Sequence, residues 1–417
     1  MPAPQPVYPE HRSLNTVQVS PYEKGSRMTA HQHPQPPQPH GITRNGRPLT
    51  SIPTAAVAST AGAAHPRRGH EGPSVEPRAQ RPTPTTPPGH DWTGLAERVL
   101  AGTPAGRDDA LRILRSHDDD ILELMAGAYR IRRRFHGRSV KLNMLINAQS
   151  GRCAEDCAYC SQSIYATAPV PEYQLVDEQT IVEGARHAHA QQAGTYCMVM
   201  SGRRASRRDV DRIASAARRI REEMPEMKLC ACLGLIDDAK AEVLADSGVE
   251  RFNHNVNTAP RYHDRIVTTH TYRDRVETIE SVRRAGISPC SGIICGLGED
   301  DDDLAEAALE LRRLEADSVP INFLIPQEGT PLAGRRLLTP LRCLKIVAMF
   351  RYLLPGREIR LAGGRELNLG QLQPLALFAA NSVFLGDYLT SEGQTMDADR
   401  QMIDELGFVV EQDAHAS

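Results

Sequence analysis

The sequence predicts an α/β fold: a (β/α)8 TIM-type barrel preceded by a disordered N-terminal extension and short N-terminal helices. Three observations carry this expectation. The opening is rich in proline and lacks periodicity, the texture changes at Trp92, and from Lys141 short apolar segments alternate with helical ones. The expected division is an extension over 1–90, a helical segment over 91–140, the barrel over 141–410 and a tail over 411–417.

Eighteen of the 30 prolines and seven of the 15 histidines precede Asp91. Runs such as 31–40 (HQHPQPPQPH) cannot bury enough apolar surface to offset chain entropy, so the segment reads as disordered. Its nine Arg and Lys against four Glu leave it basic, as a solvated extension rather than a defined binding site. Over the whole chain 49 basic side chains face 52 acidic ones, which argues against a protein built to grip nucleic acid or an anionic membrane. No stretch has the length and apolarity of a membrane span, and the start lacks a secretory signal. Nine cysteines, all from Cys153 onward, make an odd set unlike a secreted disulfide framework. Reduced thiols of a cytoplasmic protein, some of them binding metal, are expected instead.

Helical patterns come first, over Leu95–Leu100 and Asp108–Phe135. The expected strands are Lys141–Ala148, Thr195–Ser201, Lys228–Leu235, Arg251–Asn257, Ile287–Gly296, Ser318–Ile325, Glu358–Ala362 and Ser382–Leu385. In the helix expected at Asp301–Glu315, Leu304, Ala307, Ala308, Leu311 and Leu314 form one apolar stripe behind a run of aspartates. Thr339 and Pro340 occupy the N-cap and first position of the next helix. Eight strand–helix pairs over roughly 260 residues match a barrel in number and size. An open doubly wound sheet shares the alternation, but no Gly-x-Gly-x-x-Gly follows the first strand.

Straight after that strand come Cys153, Cys157 and Cys160, with Tyr159 before the last. No fourth Cys or His follows at zinc-like spacing, and a closed zinc site needs four ligands. A four-iron cluster held by three thiolates keeps one iron free of protein ligands, and chemistry can occur there. The loop leaves the C-terminal end of a barrel strand, where barrel active sites are built.

Cys197, Cys230, Cys232 and Cys290 fall on the second, third and fifth strands, within reach of one another inside a closed barrel. Cys230 and Cys232 point the same way, and only one need be a ligand. Cys295 and Cys343 read as core residues. Asn253, Asn255 and Asn257 alternate along the fourth strand, so their amides share one face and suggest a bound polar ligand, while His254 faces away as a structural residue. Arg360 is a permanent cation on the seventh strand. The fifth strand ends in Gly296, Leu297, Gly298 and Glu299, where glycines permit close backbone approach to a ligand.

The Cys-x3-Cys-x2-Cys loop with its aromatic residue is similar to that of radical S-adenosylmethionine (SAM) enzymes. Further blocks resemble the biotin synthase family over 92–410, among them CAEDCAYCSQS at Cys153–Ser163, LCACLGL at Leu229–Leu235, RFNHNVNT at Arg251–Thr258, SPCSGIICGLGE at Ser288–Glu299 and IRLAGGRE at Ile359–Glu366. The resemblance implies a [4Fe–4S] cluster on Cys153, Cys157 and Cys160 that cleaves SAM. It also implies a [2Fe–2S] sulfur donor on Cys197, Cys230, Cys290 and Arg360. By position, Asn255 and Asn322 would hold the ureido group of dethiobiotin. Asn257 would meet the SAM ribose and Arg275 its carboxylate, with Tyr159, Gly296 and Glu299 also beside SAM. A flavodoxin-like electron donor and a homodimer are implied as well. Three features depart from some members: Asn257 stands where many have aspartate, Ala154 where proline is common, and Cys232 adds an inward thiol. Competing expectations are a radical SAM enzyme with another substrate, and an iron–sulfur carrier with a basic arm.

Overall fold

Parallel strands in a computed structural model describing residues 89–411, apart from Arg152, close into a barrel. The disorder expected for 1–90 falls, except at Gly89 and His90, outside the described residues, as does all but the first residue of the expected tail.

Three helices come first: α1 (Trp92–Leu100), α2 (Arg107–Leu114) and α3 (Ile121–His136). The single helix expected over Asp108–Phe135 is therefore two. The break is local chemistry: Ser116 Oγ donates to the Ile113 carbonyl at 2.8 Å, and His117 Nδ1 accepts from the Asp119 amide at 3.3 Å. Side chains that bond nearby backbone in this way compete with helix continuation.

The barrel strands follow, each with its helix. They are β1 (Ser139–Gln149) with α4 (Glu178–Ala190), β2 (Thr195–Met200) with α5 (Arg207–Glu223), and β3 (Lys228–Cys232) with α6 (Asp238–Asp246). Next come β4 (Arg251–Asn253) with α7 (Tyr272–Arg284), then β5 (Ser288–Cys290) and β6 (Ile293–Cys295) with α8 (Asp301–Arg313). The circuit continues through β7 (Ser318–Phe323) with α9 (Pro340–Leu353), and β8 (Glu358–Leu361) with the short α10 (Arg365–Leu369) and α11 (Gln373–Ala376). It ends with β9 (Ser382–Phe384) and α12 (Met396–Glu405). Pairing of β9 with β1, Leu142 opposite Val383, closes the ring. A two-residue β10 (Val409–Val410), too short to leave a sequence pattern, extends β1 in parallel.

All eight expected strands are present with adjusted ends, and two adjustments have clear causes. The fifth is split into β5 and β6 at Ser291 and Gly292. A side chain at Gly292 would begin 1.8 Å from the Pro320 carbonyl oxygen, so the backbones touch there. The fourth stops at Asn253 because its partner β5 ends opposite it at Cys290; pairing resumes only as a single bridge from Asn257 to Ile293, with Asn257 at φ +67°, a left-handed conformation that asparagine tolerates better than most residues. Thr339 caps α9 by accepting from the Arg342 amide, with Pro340 at the first helical position as expected.

Apolar packing lies between strands and helices. Val319, Ile321, Ile359 and Leu361 meet Leu344, Val347 and Phe350 of α9 on one side. Met198, Leu229 and Ala231 meet Val182 and Ile213 on the other. Cys295 and Cys343 belong to this core, as expected. Among the described residues no helix is long and apolar enough to cross a membrane.

The C-terminal elements are pinned by Arg365, whose Nη2 reaches both oxygens of Asp399 at 2.7 and 2.8 Å, with both side chains fully buried. Removing one member of such a pair strands the other charge and costs about 3–5 kcal/mol. Asp399→Ala is expected to lose stability on that order in chemical denaturation. A loss within the scatter of surface substitutions would show that α12 is held by something else.

Candidate active site

The loop after β1 folds back on itself before any ligand is considered. Cys153 N donates to the Gln162 carbonyl at 2.7 Å, and Cys160 N to the Cys157 carbonyl at 3.1 Å. Gln162 Oε1 accepts from the Gly151 amide at 3.0 Å and from Ser150 Oγ at 3.2 Å. A second set of bonds fixes the loop to the segment before α7. Asp156 accepts from the Thr268 and Thr269 amides at 2.9 and 3.2 Å, and Glu155 meets His270 Nδ1 at 2.6 Å. Burial is the leading influence on both carboxylates and would raise their pKa values. Hydrogen bonds outweigh it and hold both groups below their usual range.

All three loop cysteines are free thiols. Burial pushes Cys157 up to about 12 despite the cation of Arg275, and also raises Cys153 and Cys160. Thiols held neutral this way release protons when metal takes their place. Among the described residues no three His, Cys, Asp or Glu side chains converge as a single ion requires. A cluster suits the loop better, because its thiolates bind different irons and stand farther apart than the ligands of one ion. Three thiols on a closed, anchored loop fit a [4Fe–4S] cluster with one iron open.

Other side chains face this corner. Arg275, on α7, donates from Nη1 to the Asn255 carbonyl at 2.8 Å, while its buried Nε has no partner among the described residues. A desolvated guanidinium nitrogen left over in this way suits a carboxylate. Asn257 Nδ2 donates to the Tyr159 hydroxyl at 2.6 Å. Glu299 accepts from the Gly296 amide at 2.6 Å, and burial raises its pKa to about 7. Gly296 itself has φ +92°, beyond the reach of most side chains.

A second thiol set lies deeper in the barrel. Register places Cys197 of β2 opposite Cys230 of β3, with sulfurs 3.2 Å apart. Cys290 of β5 shares a hydrogen bond with Cys230 and takes another from Asn253 Nδ2 at 3.3 Å. Arg360 Nη1 stands 3.8 Å from the Cys290 sulfur. Hydrogen bonding to Cys197 raises Cys230 well above an ordinary thiol, and hydrogen bonding to Cys230 does the same for Cys290. Cys232 lies two residues further along β3, opposite Val199, and packs against the cluster of Cys197, Val199 and Cys230. Three thiols and one guanidinium fit a small iron–sulfur group at this depth.

One cavity of about 270 Å³ joins the two levels, with Tyr159 and Cys160 in its wall at one end and Cys197 and Arg360 at the other. Asn253, Asn255 and Asn322 also line it. Asn257 is the exception to the shared face expected for the fourth-strand amides. Its left-handed backbone swings the amide to Tyr159 instead. His254 is buried and lies outside the cavity wall, in keeping with a structural role.

Several wall residues carried no expectation from the sequence. Tyr388, Leu389, Thr390 and Ser391 follow β9 and line the cavity; Thr390 Oγ1 lies 2.9 Å from Ser161 Oγ of the cysteine loop. Their only signal was position, since loops at the C-terminal ends of barrel strands build active sites. Glu358 carried no expectation either, although i and i+2 placement with Arg360 puts both on one strand face.

Two family matches divide the folded part. Residues 149–311 match the radical SAM superfamily, and residues 320–409 match the Biotin and Thiamin Synthesis associated domain. The chain is 51% identical to biotin synthase from Bacillus subtilis (strain 168) over 322 residues, covering 77% of this chain and 96% of that protein. It is 52% identical to biotin synthase from Geobacillus kaustophilus over 321 residues, with the same coverage. Among solved structures, methylornithine synthase superposes with a TM-score of 0.67 at 21% identity, covering 76% of this chain and 97% of that one. An FeFe-hydrogenase maturase from Carboxydothermus hydrogenoformans gives 0.65 at 15%, covering 78% and 80%. At these identities the two structures establish the shared barrel alone.

Proposed function

The chain belongs to the biotin synthase family of the radical SAM superfamily, and from that premise we propose how its residues divide the work of inserting sulfur into dethiobiotin. It is a radical SAM sulfurtransferase that uses SAM and a [4Fe–4S] cluster. When bound, the [4Fe–4S] cluster supplies reductive cleavage of SAM, and a [2Fe–2S] cluster deeper in the barrel supplies sulfur.

Cys153, Cys157 and Cys160 hold the outer cluster. Arg275 receives the SAM carboxylate on its unpartnered Nε, and Tyr159, Asn257, Gly296 and Glu299 form the rest of the SAM pocket. Cys197, Cys230, Cys290 and Arg360 hold the inner cluster. Cys230 is the third-strand ligand rather than Cys232 because its sulfur is the one in contact with Cys197 and hydrogen-bonded with Cys290.

Asn255 and Asn322 bind the ureido group. Asn255 Oδ1 accepts from the Gly292 amide, and Asn322 Oδ1 from the Gly363 amide, each at 3.0 Å. With both oxygens turned to backbone and one Asn322 Nδ2 hydrogen given to the Ile293 carbonyl at 3.1 Å, the Asn255 Nδ2 group and the second Asn322 Nδ2 hydrogen are left as donors, and the urea carbonyl is the acceptor they suit. Leu145, Val199 and Phe384 supply an apolar wall that excludes water from reactive species.

The observation that carries this reading is the single cavity whose wall holds a cysteine of each set. Substrate placed there lies between the SAM pocket and the sulfur source, as a reaction using both requires. The electron donor is a reduced flavodoxin-like protein, the enzyme works as a cytoplasmic homodimer, and residues 141–410 form the catalytic barrel with 91–140 packed against it. The test is an anaerobic incubation with dethiobiotin, SAM and reductant. Biotin together with deoxyadenosine is expected; deoxyadenosine from a competent enzyme without biotin would refute the substrate.

A further inference from the structure

Arg360 does not stand alone behind the inner thiols. Its Nη2 donates to Glu358 Oε1 at 2.5 Å and to Ser318 Oγ at 2.9 Å, and its Nε reaches Glu358 Oε1 and Ser382 Oγ, each at 3.2 Å. One edge of the guanidinium fork is thereby fully used. The remaining nitrogen, Nη1, is the one aimed at the Cys290 sulfur. A planar guanidinium cannot turn one nitrogen without turning the others, so the partner of the Nε and Nη2 edge decides where Nη1 points.

Glu358 is also more than a local partner. It is 4% exposed, and its second oxygen accepts from Arg251 Nη1 at 2.8 Å with Lys141 Nζ at 3.8 Å. One carboxylate therefore sits among three cations beneath the thiols. Ser318 and Ser382 also donate to its Oε1, each at 3.0 Å, so its own orientation is fixed. Without that carboxylate, Arg360 would lose the bond that orients it, and Arg251 would become a buried cation without its counter-charge.

We propose that Glu358 is the positioning residue of the inner site: by taking the Nε and Nη2 edge of Arg360, it turns Nη1 toward Cys290, and its charge offsets the cations beneath the thiols. The inference rests on the inner [2Fe–2S] assignment made above. Glu358 touches neither substrate nor reacting atoms; it acts through Arg360. Partners of this outer kind change metal affinity or activity by about 10- to 100-fold when removed.

The test compares anaerobically reconstituted full-length enzyme with Glu358→Gln and Glu358→Asp. Iron and sulfide content, the reduced-state EPR spectrum, the midpoint potential of the inner cluster and biotin per chain are measured on each. Glu358→Gln is expected to lower inner-cluster occupancy and biotin per chain by about 10- to 100-fold, while deoxyadenosine release continues. Any inner cluster that remains should have a higher potential, because removing a nearby negative charge favours the added electron. Glu358→Asp, which keeps the charge but draws it back by one methylene, should shift the EPR spectrum and restore part of the biotin yield. Should Glu358→Gln fail to fold by thermal melting, the aspartate variant carries the test. An unchanged EPR spectrum, potential and biotin yield in the folded variant would overturn the role of Glu358 while leaving the inner cluster intact. Wild-type enzyme containing only the outer cluster would instead overturn the inner site itself.

Discussion

Cys290→Ala is expected to end biotin formation while deoxyadenosine is still released. The sulfur removed takes part in the inner contact set, hydrogen-bonded with Cys230 and Asn253 and faced by Arg360 Nη1. Loss of a ligand should exceed the loss from removing an outer partner, so biotin should fall more than about 100-fold. The cysteine loop after β1 makes its hydrogen bonds without Cys290, which is why SAM cleavage should survive. One buried methyl-sized group lost from β5 costs packing on the order of 1 kcal/mol, too little to unfold the barrel. Biotin per chain equal to wild type would show that the sulfur source lies elsewhere.

Cys157→Ala should have the opposite division: neither deoxyadenosine nor biotin, with the inner cluster retained. Cys157 is the most buried of the three loop thiols, and alanine there leaves two thiolates to hold a four-iron cluster. The loop should keep its shape, because Glu155 and Asp156 tie it to Thr268, Thr269 and His270 through bonds that do not involve the sulfur. Iron analysis should show the loss of the outer cluster, and the EPR signal of the inner one should remain. Deoxyadenosine release near the wild-type rate would exclude Cys157 as a ligand. Together the two substitutions separate cleavage from sulfur transfer, which is the division the two cysteine sets imply.

The barrel was legible because each strand is a short apolar run followed by an amphipathic helix, a local pattern that survives without knowledge of partners. What was not legible depends on contacts distant in sequence. The break at Gly292 exists because the Pro320 carbonyl presses against it from β7, 28 residues away. Neither residue announces the other. The left-handed turn at Asn257 likewise converts an expected third cavity amide into a partner for Tyr159. Strand β10 has two residues and no periodicity to read.

The cysteine loop could be read from spacing alone, since packing does not call for three thiols in eight residues. Depth within the barrel could not be. Alternation puts Cys230 and Cys232 on one face, but only the register with β2 sets Cys230 beside Cys197 and Cys232 beside Val199. Arg360 was visible as a cation on a strand, whereas the bonds that aim it come from β7, β8 and β9. Glu358 carries no such signal, because two of its three cations, Arg251 and Lys141, are more than a hundred residues away. The cavity wall after β9 was illegible for a similar reason: Thr390 and Ser391 are common loop residues until the barrel sets Thr390 against Ser161 and Ser391 against Gln327.

The most direct measurement is metal and sulfide analysis of anaerobically purified protein, with EPR of the reduced enzyme recorded before and after SAM is added. Iron and sulfide for two kinds of cluster are expected, along with a four-iron signal that changes on SAM addition because one iron is open to it. Zinc at the cysteine loop, or a four-iron signal indifferent to SAM, would contradict the account.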